Sequence, residues 1–222
     1  MKSILSSILL TVLVCFPLGT QAQRKSKKVQ QKTVPEVSLD AFAFRNVGPA
    51  FLSGRIADIV FHPENDNVWY VAVGSGGVWK TENAGTTWSP IFDDQPTYTT
   101  GCIALDPSNP EIVWVGSGEN VGGRHVAYGD GVYRSLNGGN TWELTNFIKG
   151  TQPSNGRIIY KVIVHPTNPN NVFVTASNGF YNSTDGGDTW QAIDGSRAYG
   201  DMEMHPTNPN LLYVMRLDSY AS

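Results

Sequence analysis

The chain has 222 residues, with 16 lysines and arginines against 19 aspartates and glutamates and a formal net charge of −3. That length accommodates one large domain with a sizeable core, and an aromatic share of 11% argues against a chain disordered throughout. The surplus of acid argues against nucleic acid as a partner.

The first residues have the layout of an export signal. Lys2 supplies a short positive start, Ile4 to Leu18 an apolar run, and Thr20-Gln21-Ala22 the small residues a signal peptidase needs. Residues 1–22 therefore read as a signal peptide cleaved after Ala22, with an apolar run too short for a membrane helix. Cys15 invites a lipid-anchor reading, but Val14 stands where that chemistry wants a small residue. Once Cys15 leaves with the signal, Cys102 is the one remaining cysteine and no internal disulfide can form. The expected location is secreted or periplasmic, in a bacterial setting, with no stable membrane insertion after cleavage. Residues 23–39 read as a basic, flexible linker, carrying Arg24, Lys25, Lys27, Lys28 and Lys32 without apolar periodicity.

From residue 40 onward the sequence repeats itself. Runs of alternating apolar residues end at His62-Pro63, Asp106-Pro107, His165-Pro166 and His205-Pro206. A second β-rich run follows each: Val68 to Val73, Ile112 to Val115, Val172 to Thr175 and Leu211 to Met215. Then come Gly77-Val78-Trp79, Gly131-Val132-Tyr133 and Gly179-Phe180-Tyr181. A turn of form Ser/Thr-x-Asp/Asn-x-Gly-x-Thr-Trp closes three of the units, starting at Thr81, Ser135 and Ser183, 54 and 48 residues apart. In that turn Asn83, Asn137 or Asp185 can bond backbone amides. Ser135, Ser183 and Thr81 can satisfy neighbouring groups. Gly85, Gly139 and Gly187 supply a positive-φ position, and Trp88, Trp142 and Trp190 start the next strand and pack between sheets. Each unit thus reads as four antiparallel strands. The expected fold is all-β, a propeller of four-stranded blades, with about three and a half blades over residues 40–222. An incomplete ring implies that this is the N-terminal part of a longer protein whose C-terminal blades are missing, or, as the second reading, that an oligomer completes the ring.

The three turns resemble Asp boxes, or BNR repeats, and the longer pattern resembles the sortilin-like and xyloglucanase-like propeller superfamily. Phe44-Arg45-Asn46-Val47-Gly48-Pro49, Ser53-Gly54-Arg55-Ile56 and Tyr128-Gly129-Asp130-Gly131-Val132-Tyr133 are similar to large secreted bacterial proteins labelled glycosyl hydrolase or sortilin N-terminal domain. The resemblance covers residues 42–222 and implies a fold more than an activity, since members bind peptides, bind proteins or cleave glycans.

Strand alternation puts the repeated turns on one face and the loops before strands one and three of each blade on the other. Binding chemistry is expected on the second face, near the axis. Glycines at 54, 101, 156 and 200 precede the first strands, and the next residues, Arg55, Cys102, Arg157 and Asp201, are expected around one channel mouth. Two arginines and an acid there either hold a carboxylate or polar sugar or pair with each other and seal the channel. The long loop from Gly116 to Asp130 carries Glu119, Asn120, Arg124, His125, Tyr128 and Asp130, completing the ligand-binding candidates. It reads equally as a self-packed loop over the channel. No catalytic residue is assigned and no cofactor is implied. The histidines His62, His165 and His205 read as turn-forming rather than as metal ligands.

The leading functional reading is a secreted, non-catalytic interaction propeller for an extracellular or periplasmic protein, peptide or polysaccharide. The alternative is a glycoside hydrolase-like enzyme of xyloglucanase or sialidase type. Glycosidases need two carboxylates across the scissile bond. The xyloglucanase resemblance puts Gly74 where one catalytic aspartate belongs, offers no substitute in Ser75, and puts the partner acid beyond Ser222. A sialidase needs three arginines, for which Arg55, Arg124 and Arg157 are available, but Phe44-Arg45-Asn46-Val47 departs from that family's Arg-Ile-Pro start. The signal reading is checked by mass spectrometry of exported protein: the mature chain is expected to begin at Gln23.

Overall fold

The computed structural model describes residues 55–120, 126–148 and 158–217. The signal and linker readings, with Arg124, His125 and Arg157, lie outside the described residues.

Four sheets follow the chain in order. The first is β1 (Ile56–Phe61), β2 (Trp69–Val73), β3 (Gly77–Thr81) and β4 (Ser89–Pro90). The second is β5 (Thr100–Asp106), β6 (Asn109–Ser117), β7 (Val132–Ser135) and β8 (Glu143–Leu144). The third is β9 (Ile159–His165), β10 (Asn168–Ala176), β11 (Gly179–Ser183) and β12 (Gln191–Asp194). A hairpin of β13 (Ala198–Met204) and β14 (Leu212–Leu217) starts a fourth. All pairings are antiparallel, so each sheet is a meander of neighbours in sequence. Among the described residues no helix is long and apolar enough to cross a membrane.

The first strands of successive sheets approach one another, β1 with β5, β5 with β9 and β9 with β13. They line the axis, and the short fourth strands lie farthest from it. This is the blade arrangement of a β-propeller. Its hydrophobic core is divided between the blades. Tyr70, Ala72, Val78 and, just past β4, Phe92 of the first blade meet Ile103, Val113, Val115 and Tyr133 of the second. Cys102, Trp114, Val132 and Phe147 meet Ile159, Val162, Val172 and Val174 in the next layer. Strands buried on both faces explain the near-continuous apolar runs of β6 and β10.

The turns after the first strands are closed by local acceptors. Asp106 Oδ1 accepts from the amides of Ser108 (2.8 Å) and Asn109 (3.3 Å). His165 Nδ1 and His205 Nδ1 accept in the same way from Thr167 and Thr207, each at 3.3 Å. His62 Nδ1 accepts from Glu64 at 3.2 Å. One histidine or aspartate per unit therefore serves its own turn.

The repeated third-to-fourth-strand turn has the same geometry three times. Ser135 Oγ accepts from the amides of Asn137 (3.3 Å) and Gly139 (2.9 Å), and Asn137 Oδ1 accepts from the Thr141 amide at 2.9 Å. Thr81 with Asn83, and Ser183 with Asp185, reproduce these bonds. Asn83 and Asn137 also donate through Nδ2 to the threonine hydroxyl, whereas Asp185 accepts from Thr189 Oγ1 at 2.6 Å. Bonds from Thr189 and Ser183 hold the Asp185 carboxyl down at about 2. Gly139 and Gly187 lie at φ +89° and +96°, backbone that side chains rarely adopt. Trp88, Trp142 and Trp190 each stand one residue before the fourth strand, not in it. Trp142 and Trp190 are there wedges between blades and not ladder residues, whereas Trp88 packs on Trp69 of its own blade. Trp142 packs edge-on to Phe92 of the preceding blade, its ring centroid 5.2 Å away, and donates through Nε1 to Ile91 O at 2.6 Å. Trp190 packs against Trp114 and Phe147.

A cation fastens each of these joints. Lys80 lies 5.4 Å from the centre of the Tyr70 ring, and Tyr70 donates to Gly138 O in the next turn. Arg134 lies 5.8 Å from the Trp114 ring and donates to Gly186 O, with Asp188 Oδ1 at 3.2 Å. The basic group rests on an aromatic face while the neighbouring blade's turn docks on the pair.

A Cβ added at Gly187 would lie 2.6 Å from the Trp114 ring, whereas one at Gly195 would meet nothing nearer than 3.6 Å. Gly187→Ala is expected to lower unfolding free energy by more than about 2 kcal/mol, and Gly195→Ala to change it by less than about 0.5 kcal/mol, in urea titrations.

Candidate functional site

Strand register decides which side chains share a level on the axis. Asp58 pairs with Ala72, Cys102 with Gly116 and Lys161 with Thr175. The residues after them in the third strands, Val78, Val132 and Phe180, align across the blades. In the fourth hairpin Met202 pairs with Val214 as Val162 does with Val174, so Asp201 is level with Lys161. The axial row is Asp58, Cys102, Lys161 and Asp201. The expected row had Arg55 and Arg157 in place of Asp58 and Lys161, and the difference comes from using glycine as the marker. Gly101 and Gly200 lie inside β5 and β13 and not before them. Counting back four residues from His62, Asp106, His165 and His205 gives the observed row.

The row is internally bonded. Asp58 Oδ2 accepts from the Ile103 amide of the next blade at 3.0 Å. Lys161 Nζ stands 3.9 Å from both Asp201 Oδ1 and Glu203 Oε1. Burial, aided by the Asp58 charge, pushes the Cys102 thiol up to about 12, so it stays protonated and unreactive at neutral pH.

Arg55 and Glu119 meet one level nearer the loop face. Arg55 Nη2 forms an ion pair with Glu119 Oε1, joining the first blade to the loop between β6 and β7. The Glu119 side chain is fully buried, while 43% of the Arg55 side chain is exposed. The carboxylate fills the space that a side chain at position 74 would take: a Cβ on Gly74 would lie 2.9 Å from Glu119 Oε1. The Glu119 amide donates to Ala127 O and the Gly118 amide to Thr99 O, at 2.9 and 3.0 Å. Glu119 is thus an anchor beneath the surface, and Arg55 is the part of the pair that reaches solvent.

Asp130 is also committed to structure. Its carboxylate accepts from Tyr133 Oη at 2.6 Å and from Ser117 Oγ at 3.0 Å, which, after burial, raises the Tyr133 phenol far above its ordinary range. Ser117 Oγ accepts from the amides of Asp130 (2.9 Å) and Gly131 (2.8 Å), clasping the two ends of the loop together. Asn120 is half-buried, and its Oδ1 has no hydrogen-bond partner among the described residues. Tyr128 is 65% exposed, and Tyr98, from the neighbouring loop between β4 and β5, is 64% exposed. Both backbones are held: Tyr128 O accepts from Thr99 Oγ1 at 3.1 Å, and Tyr98 O from the Gly77 amide at 2.8 Å. The described part of the face therefore combines a clamped guanidinium with two solvent-facing phenol rings on fixed loops. Such groups can donate to hydroxyl or carbonyl oxygens and stack on a flat ligand surface. Among the described residues no group of three or more histidine, cysteine, aspartate or glutamate side chains is arranged to hold a metal ion.

No family model matches the chain. It is similar to a xyloglucanase of Hypocrea jecorina (strain QM6a), 28% identical over 145 residues, which covers 61% of this chain and 17% of that protein. Among solved structures it is similar to an ancestral GH74 enzyme, with TM-score 0.61 and 24% identity over 73% of this chain and 22% of that one. YCF48 from Cyanidioschyzon merolae matches with TM-score 0.51 and 17% identity, covering 72% of this chain and 50% of that one. These likenesses agree with the propeller fold. The chain spans about a sixth of the xyloglucanase and about a fifth of the ancestral enzyme.

Removing Arg55 strands a buried carboxylate. Arg55→Ala is expected to cost about 2 kcal/mol at pH 7, read by urea unfolding. The deficit should shrink towards pH 5, because a lone buried carboxyl binds a proton more readily folded than unfolded. Glu119→Gln in the same chain should abolish that pH dependence.

Proposed function

We propose that this chain is part of a secreted, non-catalytic interaction propeller that binds an extracellular glycan or peptide through the face carrying Arg55, Tyr98 and Tyr128. The observation that carries this reading is the Arg55–Glu119 pair: the buried carboxylate holds the guanidinium in place and leaves part of it open to solvent. Pre-organisation of this kind lowers the ordering cost of binding. The exposed rings of Tyr98 and Tyr128 add area for a flat ligand, each joining an apolar face to a hydroxyl. Export through the signal at residues 1–22 places the protein where polysaccharides and secreted proteins are its neighbours.

The similarity to a xyloglucanase favours one second reading, a glycoside hydrolase whose other acid lies outside this chain. Glu119 is the carboxylate nearest the position this reading needs, beside Gly74. Its burial and its ion pair disfavour proton transfer to a leaving group, which requires contact with the substrate.

Glycan-array and peptide-array binding by the full chain tests the first reading. Binding should fall by about tenfold or more, the scale of one lost hot-spot contact, in Arg55→Ala and in Tyr98→Ala with Tyr128→Ala. Ligand capture unchanged in all these variants overturns it. Hydrolysis of xyloglucan by the chain, lost in Glu119→Gln with folding intact, would establish the second reading instead.

A further inference from the structure

An arginine on a binding face ordinarily recruits anions, because its fork matches a carboxylate in both charge and shape. Arg55 differs in that its charge is already matched. Its Nη2 is paired with Glu119 Oε1, and the Glu119 side chain is fully buried, so water screens the countercharge little. The backbone beneath that carboxylate is fixed, with the Gly118 amide bonded to Thr99 O and the Glu119 amide to Ala127 O. Glu119 Oε1 fills the space beside Gly74, 2.9 Å from where a Cβ would stand. The pair therefore offers N–H donors to solvent with no net charge behind them.

The neighbouring loops add negative charge. Asp93 and Asp94 are exposed on the loop that carries Tyr98. A Cβ on Gly77 would lie 3.9 Å from Asp93 Oδ1, and the Gly77 amide donates to Tyr98 O, which sets the Asp93 carboxylate beside the anchor of that loop. Asp130 closes the loop that carries Tyr128. Among the described residues 91–99, 117–120 and 126–131 there is no lysine or arginine. An anion at Arg55 meets a buried carboxylate behind the guanidinium and further carboxylates on the two loops. A hydroxyl or amide oxygen takes the free N–H groups without that repulsion.

On the reading that ligands bind at the face of Arg55, Tyr98 and Tyr128, we infer that Glu119 is its specificity-determining residue. By cancelling the charge of Arg55 it restricts the group bound there to an uncharged oxygen acceptor and turns carboxylates away. Removing the Glu119 charge while keeping its shape converts the same place into an anion site.

Oligogalacturonate and its fully methyl-esterified form are the probes, because they share a backbone and differ in charge. Each is titrated by calorimetry into the full chain, into Glu119→Gln, and into Glu119→Gln combined with Arg55→Ala. Glu119→Gln is expected to bind the free acid about tenfold or more tighter than the unaltered chain does, with the gain abolished by high salt and by Arg55→Ala. The ester, which carries no charge for Arg55 to attract, should show no such gain. Urea unfolding establishes that the variants are folded, and Glu119→Met, which keeps the volume without the charge, takes the place of Glu119→Gln where it is not. A folded variant without the gain overturns the inference. So does an Arg55-dependent preference of the unaltered chain for the free acid over the ester, or for acidic members of the glycan and peptide arrays. Array binding unaffected by Arg55→Ala overturns the face as the binding site and with it the role of Glu119, an outcome told apart because Glu119→Gln still gains affinity for the free acid.

Discussion

The contact on which the architecture depends is between a turn glycine and a large apolar side chain of the preceding blade. Gly187 sits so near Trp114, and Gly139 so near the Ile91 side chain, that a Cβ at either would collide. Such closeness requires a turn that presents bare backbone at positive φ, and the serine-and-asparagine scaffold holds that turn in shape. Seated there, the tryptophan of the turn falls between two sheets, and a side chain of the earlier blade, Tyr70 at one joint and Arg134 at the next, reaches a turn carbonyl. One short motif thus sets both the end of a blade and the spacing to the next. Local hydrogen bonding and interblade packing become parts of a single unit, as expected of repeat folds whose stability is a sum of neighbour interfaces.

That spacing also determines what the axis displays. Because the blades join without slippage, residues at one strand position form a row, and Asp58, Cys102, Lys161 and Asp201 occupy it. An acid bonded to the next blade's amide, a thiol held neutral and a lysine between two acids leave that row largely satisfied. The open chemistry lies one level out, where Arg55, Tyr98 and Tyr128 face solvent above a buried glutamate.

Much of this was legible in the chain because its signals are local. The turn motif, the His-Pro and Asp-Pro corners and the apolar alternation each act within a few residues, and the second and third strands of each complete blade fall on the runs they predict, β2 at residues 69–73 included. The site was less legible because its chemistry is made across blades. Nothing in the residues around Glu119 indicates that its side chain turns inward to meet Arg55, 64 positions earlier in the numbering. The repeated glycine was a poor ruler, since Gly101 and Gly200 fall within their strands, whereas the corner after the strand is fixed by a hydrogen bond. The absence of a side chain at Gly74 was visible in the sequence, but what occupies that space is a tertiary fact.

The Ser117 clasp carries a separate implication for how such a protein diversifies. A hydroxyl that binds the amides of Asp130 and Gly131 shuts the loop at its base, so β6 and β7 keep their pairing whatever lies between. Lengthening a closed loop costs only a slowly growing entropy. With the Glu119 amide bonded to Ala127 O and its carboxylate to Arg55, the base of the loop stays fixed, and residues inserted or exchanged between Glu119 and Ala127 can create a new specificity while the scaffold keeps its stability.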